Sequence, residues 1–368
     1  MLNLQKSVNG SIFGKKEKEM GYTTRGLFDE QFRLEKISKQ NDPLEKLQAH
    51  IDFEFFRKPL EDYFKKDIVK GENKGGRPPY DYVLMFKIVI LQRYYNLSDD
   101  ATEYAILDRL SFMRFLGLTL SHSVPDAKTI WNFKNELAKG DMVNKLFKKL
   151  DNRLDKEGVI IHEGKMADAT IVETPRQRNS REENEQIKAG EVPKDWKENP
   201  NKLRQKDVDA AWLKKNGETF YGYKDHIKAD TKTKLITDYE VTSASVHDSE
   251  ALENLLNKKE DQGQPFYADS AYRSEAIERS LKKKNIGSQI HEKGYRNNPL
   301  TKRQQQRNRK KSKIRARVEH IFAFMENSMH GAYLHCRSLV RAQAAIGLMN
   351  ITYNLFRLAQ LKVCLSRA

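Results

Sequence analysis

Residues 160–174 read IIHEGKMADATIVET, and this stretch decides the fold class because its pattern of apolar and polar residues differs from that of the sequence before it. Apolar and polar residues alternate in it and β-branched residues are frequent, which is typical of a β-strand. One acidic residue, Asp168, interrupts the apolar run. A carboxylate is costly to bury unless it pairs with a cation or binds a metal ion, so Asp168 is a candidate functional residue.

Downstream of this strand, the sequence predicts a series of strands and helices. Residues 220–230 (FYGYKDHIKAD) and 235–245 (LITDYEVTSAS) are predicted as two further strands, joined by a tight TKTK turn. The pattern then predicts a helix at about 248–257, a strand at 265–272, a helix at about 274–284 and a short strand at 286–292. The order strand, strand, strand, helix, strand, helix, strand, helix is that of an RNase H-like domain. We therefore predict an α/β catalytic domain with a mixed sheet.

This predicted catalytic domain covers residues 158–368 and contains one insertion. The insertion, at about 175–216, is polar and contains proline. Its strong anchors are Trp196 and Trp212, so we predict a loop excursion with little core of its own.

Upstream, residues 43–150 show helical spacing of apolar residues and are predicted as a helical DNA-binding region. Asp100 and Glu103 are placed as a capping box for one helix. Asp126 is placed to cap the helix AKTIWNFKNELAK. The buried stripe of that helix is predicted to be Ile130, Phe133 and Leu137.

The arrangement helix, helix, turn, capped helix is the outline of a helix-turn-helix bundle. The exposed polar face of the last helix would then reach phosphates or base edges with Lys128, Thr129, Asn132 and Asn135. The alternative is a plain helical bundle whose polar face meets water. Residues 1–42 are predicted to be a flexible N-terminal arm, and the Gly- and Pro-rich loop at 71–80 a hinge or a contact to the DNA backbone.

The charge of the chain indicates a polyanionic partner. Sixty-seven Lys and Arg against 51 Asp and Glu give a formal net charge of +16. Nine of these cations, and no acid, lie between Thr301 and Arg317, directly before an apolar-periodic helix. We predict that this run neutralises DNA phosphates through Arg307, Arg309, Lys310, Lys311, Arg315 and Arg317. A solvated basic surface is the alternative.

Two further acidic residues stand in apolar contexts like that of Asp168. Asp269 follows the strand FYAD, and Glu319 borders a helix face predicted to be buried, formed by Ile314, Val318, Ile321, Phe322 and Met325. The ends of the first and fourth predicted strands would be adjacent, with the last helix packed across them, so the three carboxylates could converge. Such oxygen ligands suit two Mg²⁺ ions, with Mn²⁺ able to substitute. The alternative for each acid is a helix cap or an ion-pair partner.

The sequence resembles the DDE transposases of the insertion sequence five group over roughly residues 44–361. The matching motifs are DATIVE (168–173), FYGYKDHIKAD (220–230), TSASVHDSEAL (242–252), YADSAYRS (267–274) and RARVEHIFAFMENSMHG (315–331). The resemblance implies that Asp168, Asp269 and Glu319 are the metal-binding triad. It also implies that the helical region binds terminal inverted repeats and that no covalent protein–DNA bond forms.

Other positions follow from the same resemblance. His247 and Asp248 are expected near the site, although Asp248 could simply cap the next helix. Independently of the resemblance, Lys224 on the second predicted strand is expected to contact DNA. The group often carries Lys or Arg seven residues after the glutamate, where this chain has Glu326. Arg315 or Arg317 is therefore expected to supply that cation.

Secretion and membrane insertion are not indicated. The two cysteines, Cys336 and Cys364, give no disulfide framework or zinc motif, and no run of eighteen apolar residues occurs. We expect a soluble, cytoplasmic, nucleoid-associated protein.

Together, these patterns predict a transposase that acts on double-stranded DNA, at element ends and at the target, as a homodimer or larger assembly. The alternatives are an RNase H-like nuclease without strand transfer and a non-catalytic DNA-binding protein derived from a transposase.

Overall fold

The computed structural model of the protein describes residues 26, 28–65, 78–177, 179–296 and 298–365. The chain divides into two compact units, one ending at Asp42 and the other beginning at Pro43. In the first unit, helix α1 (Asp29–Lys39) has no buried residue. The rest of the predicted arm, apart from short flanking segments, and most of the predicted loop at 71–80 lie outside the described residues.

The second unit begins with a series of helices. These are α2 (Pro43–His50), a 3-10 turn (Phe53–Phe56), α3 (Arg57–Phe64), α4 (Tyr82–Tyr94), α5 (Asp99–Asp108), α6 (Leu110–Leu116), α7 (Ala127–Lys139) and α8 (Met142–Lys156). The helical region therefore continues past its predicted end at residue 150. The predicted boundary at 150–158 falls inside a single compact unit.

Side-chain caps fix where several of these helices begin. Asp126 accepts a hydrogen bond from the backbone N–H of Thr129 at 2.6 Å, which confirms the predicted cap of α7. The predicted capping box of Asp100 and Glu103 is wrong. Ser98 caps α5, and the Glu103 carboxylate instead accepts from the N–H of Ala127 at 2.7 Å, where it ties α5 to the start of α7.

A six-stranded mixed sheet lies at the centre of the second unit. Its strands are β1 (Lys165–Glu173), β2 (Ala211–Lys215), β3 (Glu218–Asp230), β4 (Ile236–Ser243), β5 (Pro265–Tyr267) and β6 (Gly287–Ser288). β3 pairs antiparallel with β1, with β2 and with β4, whereas β1, β5 and β6 run parallel. The spatial order is β4-β3-β1-β5-β6. Strand β2 pairs with the first part of β3, and β4 pairs with the rest of it. The predicted adjacency of the first and fourth predicted strands, β1 and β5, is confirmed.

The remaining helices follow β1 along the chain. They are α9 (Arg181–Lys188), α10 (Lys194–Glu198), α11 (Pro200–Gln205), α12 (Asp248–Leu255), α13 (Lys258–Asp261), α14 (Glu275–Lys283), α15 (Lys302–Arg315), α16 (Glu319–Ala323) and α17 (Leu339–Leu365). Of these, α12, α14, α15 and α17 contact the sheet. On one face, Ala167 and Phe266 pack with side chains of α12 and α14. On the other, Met166 and Val172 join a core that includes α4, α8 and α17. Because successive strand residues alternate between faces, Asp168 lies on the face of Met166 and Val172.

The prediction that the insertion is a loop excursion is wrong, although few of its residues are buried, as expected of a segment with little core of its own. It contains α9, α10, α11 and β2, and β2 extends the sheet. Trp196 is fully buried and Trp212 packs on Tyr221, as expected of anchors. A third anchor is Asp207, which is buried and accepts hydrogen bonds from the Tyr223 hydroxyl at 2.8 Å and from the Ser338 N–H at 2.9 Å.

The helix predicted around Glu319 is interrupted. α15 ends at Arg315, α16 begins at Glu319, and a π-helical turn (Phe324–Ser328) follows. Val318, Ile321 and Met325 are buried as predicted, whereas Ile314 and Phe322 are only half-buried. Among the described helices, none is long and apolar enough to cross a membrane.

Candidate active site

Asp168 lies in the middle of β1 and is held by two donors. Its Oδ1 accepts from the backbone N–H of Ala169 at 2.9 Å, and its Oδ2 accepts from Nη1 of Arg315. Burial raises the pKa of Asp168 to about 6, and the carboxylates of Asp269 and Glu319 act in the same direction. Arg315 and the Ala169 N–H oppose this shift. The charged form of Asp168 is therefore costly without a cation beside it.

Asp269 follows β5 and begins the 3-10 turn Ser270–Tyr272. Its Oδ1 accepts from the N–H of Ala271 at 2.6 Å, so this carboxylate is also a cap. The bond orients the side chain through the backbone of the turn.

One cavity of about 580 Å³ brings the three predicted carboxylates together. Its lining includes Asp168, Asp269 and Glu319, and Arg315 stands between two of them. Nη2 of Arg315 lies 3.5 Å from Oε1 of Glu319. Glu326, seven residues after Glu319 and within the π-helical turn, also lines this cavity.

The donor chemistry of this cavity fits a hard divalent cation, since its acidic ligands are all oxygen. In the part of the chain that the structure describes, however, no three His, Cys, Asp or Glu side chains lie close enough together to hold a metal ion. The Arg315 guanidinium bonds to Asp168 and lies beside Glu319 instead.

Of the two arginines expected to supply a cation, only Arg315 contacts a predicted carboxylate. Arg317 donates from Nη1 to the backbone carbonyl of Thr231 at 2.8 Å, at the far end of β3. Arg317 therefore fastens the segment between α15 and α16 to the sheet.

The alternative that Asp248 caps the helix after the third predicted strand is wrong. His247, not Asp248, caps α12, through a hydrogen bond from the N–H of Ser249 to its Nδ1. Asp248 accepts from Nζ of Lys224 at 2.8 Å, and Nζ also donates to the carbonyl of Val246 at 2.7 Å. Lys224 is 8% exposed, so its ammonium ties β3 to the start of α12.

Tyr272 is a residue that the sequence analysis missed. Its side chain is buried, and its hydroxyl has no hydrogen-bond partner among the described residues. Burial, with the charges of Asp168, Asp248 and Asp269 nearby, raises its pKa well above the ordinary value. The signal in the sequence was the motif YADSAYRS itself, which places this tyrosine three residues after Asp269.

The predicted DNA-contacting residues of α7 divide between two environments. Lys128 and Asn132 are exposed, and Thr129 is half-buried. Asn135 turns its amide into the protein, where Nδ2 is buried without a partner in the described structure. The predicted stripe of Ile130, Phe133 and Leu137 is buried, which is confirmed.

The basic run forms α15, and its cations fall into two groups, those bound to protein groups and those exposed. Arg307, Lys311 and Arg315 follow one another at a spacing of four residues and all bind protein groups. Arg307 pairs with Glu292 at 2.9 Å, and Lys311 donates to the carbonyl of Ile290 at 2.9 Å. The exposed cations with no hydrogen-bond or ion-pair partner among the described residues are Lys302, Arg303, Arg309, Lys310 and Lys313.

Comparison with known proteins defines the class. Residues 162–355, more than half of the chain, match the family described as "Transposase DDE domain". Residues 32–136 match a second family, described as a transposase domain. The protein is thus a transposase of the DDE class, the enzymes of DNA transposition. More particularly, the chain belongs to the transposase DDE domain family, whose members are in general DNA-cleaving and dependent on divalent metal ions.

Two solved structures are among those similar to this chain. A piggyBac transposase synaptic complex with hairpin DNA is 14% identical, with 88% of this chain and 76% of that chain covered and a TM-score of 0.46. A pre-cleavage Mos1 transpososome is 11% identical, with 90% and 96% covered and a TM-score of 0.23. Family membership rests on the sequence matches, because these TM-scores are low.

Proposed function

We propose that the protein binds the terminal inverted repeats of an insertion sequence and catalyses metal-dependent DNA cleavage and strand transfer. The observation that carries this proposal is the single cavity lined by Asp168, Asp269 and Glu319, in a chain of the DDE family. The insertion sequence five group is the proposed subgroup, on the motifs quoted above.

The sheet supports an RNase H-like catalytic domain. Its order β4-β3-β1-β5-β6, with β3 antiparallel and β5 and β6 parallel to β1, is the order expected of that fold. In this arrangement β1 supplies Asp168, the turn after β5 supplies Asp269 and α16 supplies Glu319. The proposed division of labour gives catalysis to residues 158–368 and end recognition to residues 43–150.

Asp168, Asp269 and Glu319 are the proposed ligands of two Mg²⁺ ions. When bound, such ions stabilise the charge on the attacking and leaving oxygens of an in-line displacement. Arg315 offsets carboxylate charge in the cavity, and its guanidinium is also suited to a phosphate of bound DNA. Water cuts one strand in the proposed reaction, and the freed 3′-hydroxyl then attacks a target phosphodiester.

Double-stranded DNA is the proposed partner, at element ends and at the target, and a homodimer or larger assembly the proposed acting form. The charge of +16 and the exposed cations of α15 support this partner. Lys128, Thr129 and Asn132 remain proposed contacts of α7.

One experiment tests the proposal against its alternatives. The protein is incubated with labelled element ends and target DNA in Mg²⁺ or Mn²⁺, and the products are sequenced. Joined products support the transposase, cleavage without joining indicates a nuclease, and binding without either indicates a non-catalytic DNA-binding protein. Chelation of the metal is expected to stop both reactions while binding persists.

A further inference from the structure

A second cavity, of about 380 Å³, lies between α4, α5, α7 and the first half of α17. Its volume falls within the range of about 300–1,000 Å³ that is usual for sites of small organic ligands. It has no lining residue in common with the cavity of the three carboxylates.

Cations dominate its lining. Arg93, Lys134, Arg204, Arg337 and Arg341 all line it, against the acids Asp99 and Asp100. One of these acids, Asp99, is already paired with Lys134 at 2.5 Å. Arg204 and Arg337 are exposed and have no hydrogen-bond or ion-pair partner in the described parts of the chain. An anionic group is therefore the expected occupant.

Arg93 is the cation of this cavity whose burial is most costly, because only 8% of its surface is exposed. Its guanidinium donates to the side chain of Asn96 and to the carbonyl of Gly331, each at 3.2 Å, but no carboxylate in the described structure pairs with it. Its Nε has no acceptor at all among the described residues. Burying a charge without a counter-ion is costly, so an anion in this cavity would stabilise the arrangement.

An aromatic surface accompanies the charge. Trp131 lines the cavity with 44% of its surface exposed, and the guanidinium of Arg341 lies 5.7 Å from its ring centroid. The buried Nδ2 of Asn135, also in the lining, is a donor without an acceptor. Indole, guanidinium and amide are the groups that proteins place against the face and the edge of a nucleobase.

The position of this cavity links it to the candidate active site. Nη2 of Arg93 lies 3.2 Å from the carbonyl of Gly331 and 3.6 Å from Sδ of Met349. Gly331 and Met349 both line the cavity of the three carboxylates. The two cavities therefore share a wall.

We propose that this second cavity binds one unpaired nucleotide, with the base against Trp131 and the phosphate near Arg204, Arg337 and Arg341. The proposal rests on the proposed DNA-binding function where the nucleotide belongs to a DNA strand. The base must leave the duplex, since its faces are otherwise stacked between neighbours. The same chemistry would accept a free mononucleotide, so the test has one arm for each source.

In the first arm, the full-length protein is titrated in EDTA with duplexes that carry one unpaired 2-aminopurine. We expect the fluorescence of 2-aminopurine to change when the base stacks on Trp131. Trp131→Ala is expected to remove this change, and Arg337→Gln with Arg341→Gln to reduce it. Tyr295→Ala is the matched control, because Tyr295 is 64% exposed and does not line the cavity.

In the second arm, the 5′-monophosphate of 2-aminopurine deoxyriboside is titrated against the same variants. Loss of Trp131 is expected to weaken binding by about tenfold, as for other base–aromatic contacts. Binding in both arms, or in the DNA arm alone, supports a strand nucleotide, and binding in the second arm alone supports a mononucleotide site. Wild-type behaviour of Trp131→Ala, or no response by the wild-type protein in either arm, overturns the proposal.

The two arms also separate this proposal from the proposed function. A wild-type protein that bound no duplex DNA would contradict the proposed function, and the second arm would then test the cavity alone. A protein that bound duplex DNA but responded in neither arm would contradict only the cavity. Because Trp131, Arg337 and Arg341 are exposed, their substitution leaves the core intact, and thermal unfolding checks this.

Discussion

Nη1 of Arg315 donates a hydrogen bond to Oδ2 of Asp168, across 147 residues of sequence. The same guanidinium lies 3.5 Å from Glu319, so one cation serves two predicted metal ligands. Like charges at close range destabilise one another, and a guanidinium between them relieves that repulsion. The basic helix α15 thus supplies a counter-charge to the predicted metal site.

Replacing Arg315 is expected to strengthen metal binding in the absence of DNA. Arg315→Gln removes a competing positive charge, and a partly exposed ion pair of this kind corresponds to about a two- to fivefold change in affinity. This affinity is measured by titrating the DNA-free protein with Mn²⁺ and monitoring binding by electron paramagnetic resonance. Lys313→Gln, two residues earlier and exposed, is the control. Weaker Mn²⁺ binding by Arg315→Gln would show that the arginine supports the site rather than competing for it.

The three carboxylates are expected to be individually essential. Asp168→Asn, Asp269→Asn and Glu319→Gln should each lower cleavage by at least about a hundredfold, since even outer-sphere substitutions at metal sites cost about 10- to 100-fold. DNA binding, measured by mobility shift, should persist. Glu326→Gln is the matched control, because Glu326 lines the same cavity and is not a predicted ligand. Substantial cleavage by one of the three variants would remove that residue from the triad.

The sequence predicted the central strands because their evidence is local. Alternation in 160–174 and in the pair joined by the TKTK turn depends only on neighbouring residues, and β1, β3 and β4 form there. The insertion was mispredicted because β2 is defined by its pairing with β3 and by Asp207, whose partners Tyr223 and Ser338 lie 16 and 131 residues away. Contacts at such separations produce no periodic pattern in the sequence.

The candidate site shows the same division. Acidic residues in apolar contexts pointed to Asp168, Asp269 and Glu319, and these line one cavity. Local composition could not tell that His247 rather than Asp248 would cap α12, since both stand at its start. Nor could it find the second cavity, whose walls come from helices far apart in the chain.

Stability is expected to fall as the pH rises because of Asp225. This residue is fully buried, its Oδ1 accepts from Asn350 at 3.2 Å, and its Oδ2 has no donor among the described residues. Burial raises the pKa of Asp225 from 3.8 to about 7. The folded protein therefore holds a proton that the unfolded chain releases, and stability is lost between about pH 4 and pH 7.

Asp225→Asn removes this dependence, because an amide cannot ionise and can donate to the unpartnered Oδ1 of Asn350. The free energy of unfolding of the variant, relative to that of the wild type, should therefore increase by roughly 2–3 kcal/mol when the pH is raised from about 5 to about 8. Urea unfolding at the two pH values measures the difference. A constant difference between the two proteins would contradict this role for Asp225.

The exposed face of α15 is expected to carry most of its DNA affinity. Lys302, Arg309 and Lys313 share one side of the helix at spacings of seven and four residues, and Lys310 lies beside them. Arg307 and Lys311, which the sequence also predicted to contact DNA, are instead bound to Glu292 and to the carbonyl of Ile290.

Replacing Lys302, Arg309, Lys310 and Lys313 with Gln should weaken binding to element ends and to unrelated DNA by similar factors. It should also flatten the dependence of log K on log salt by up to about four units, at about 0.9 per phosphate neutralised. Arg307→Gln is the control and should change the slope by less than about one unit, because its guanidinium is already paired. An unchanged slope in the fourfold variant would make this face a solvated surface. Loss of end-specific binding alone would make it a reader of bases.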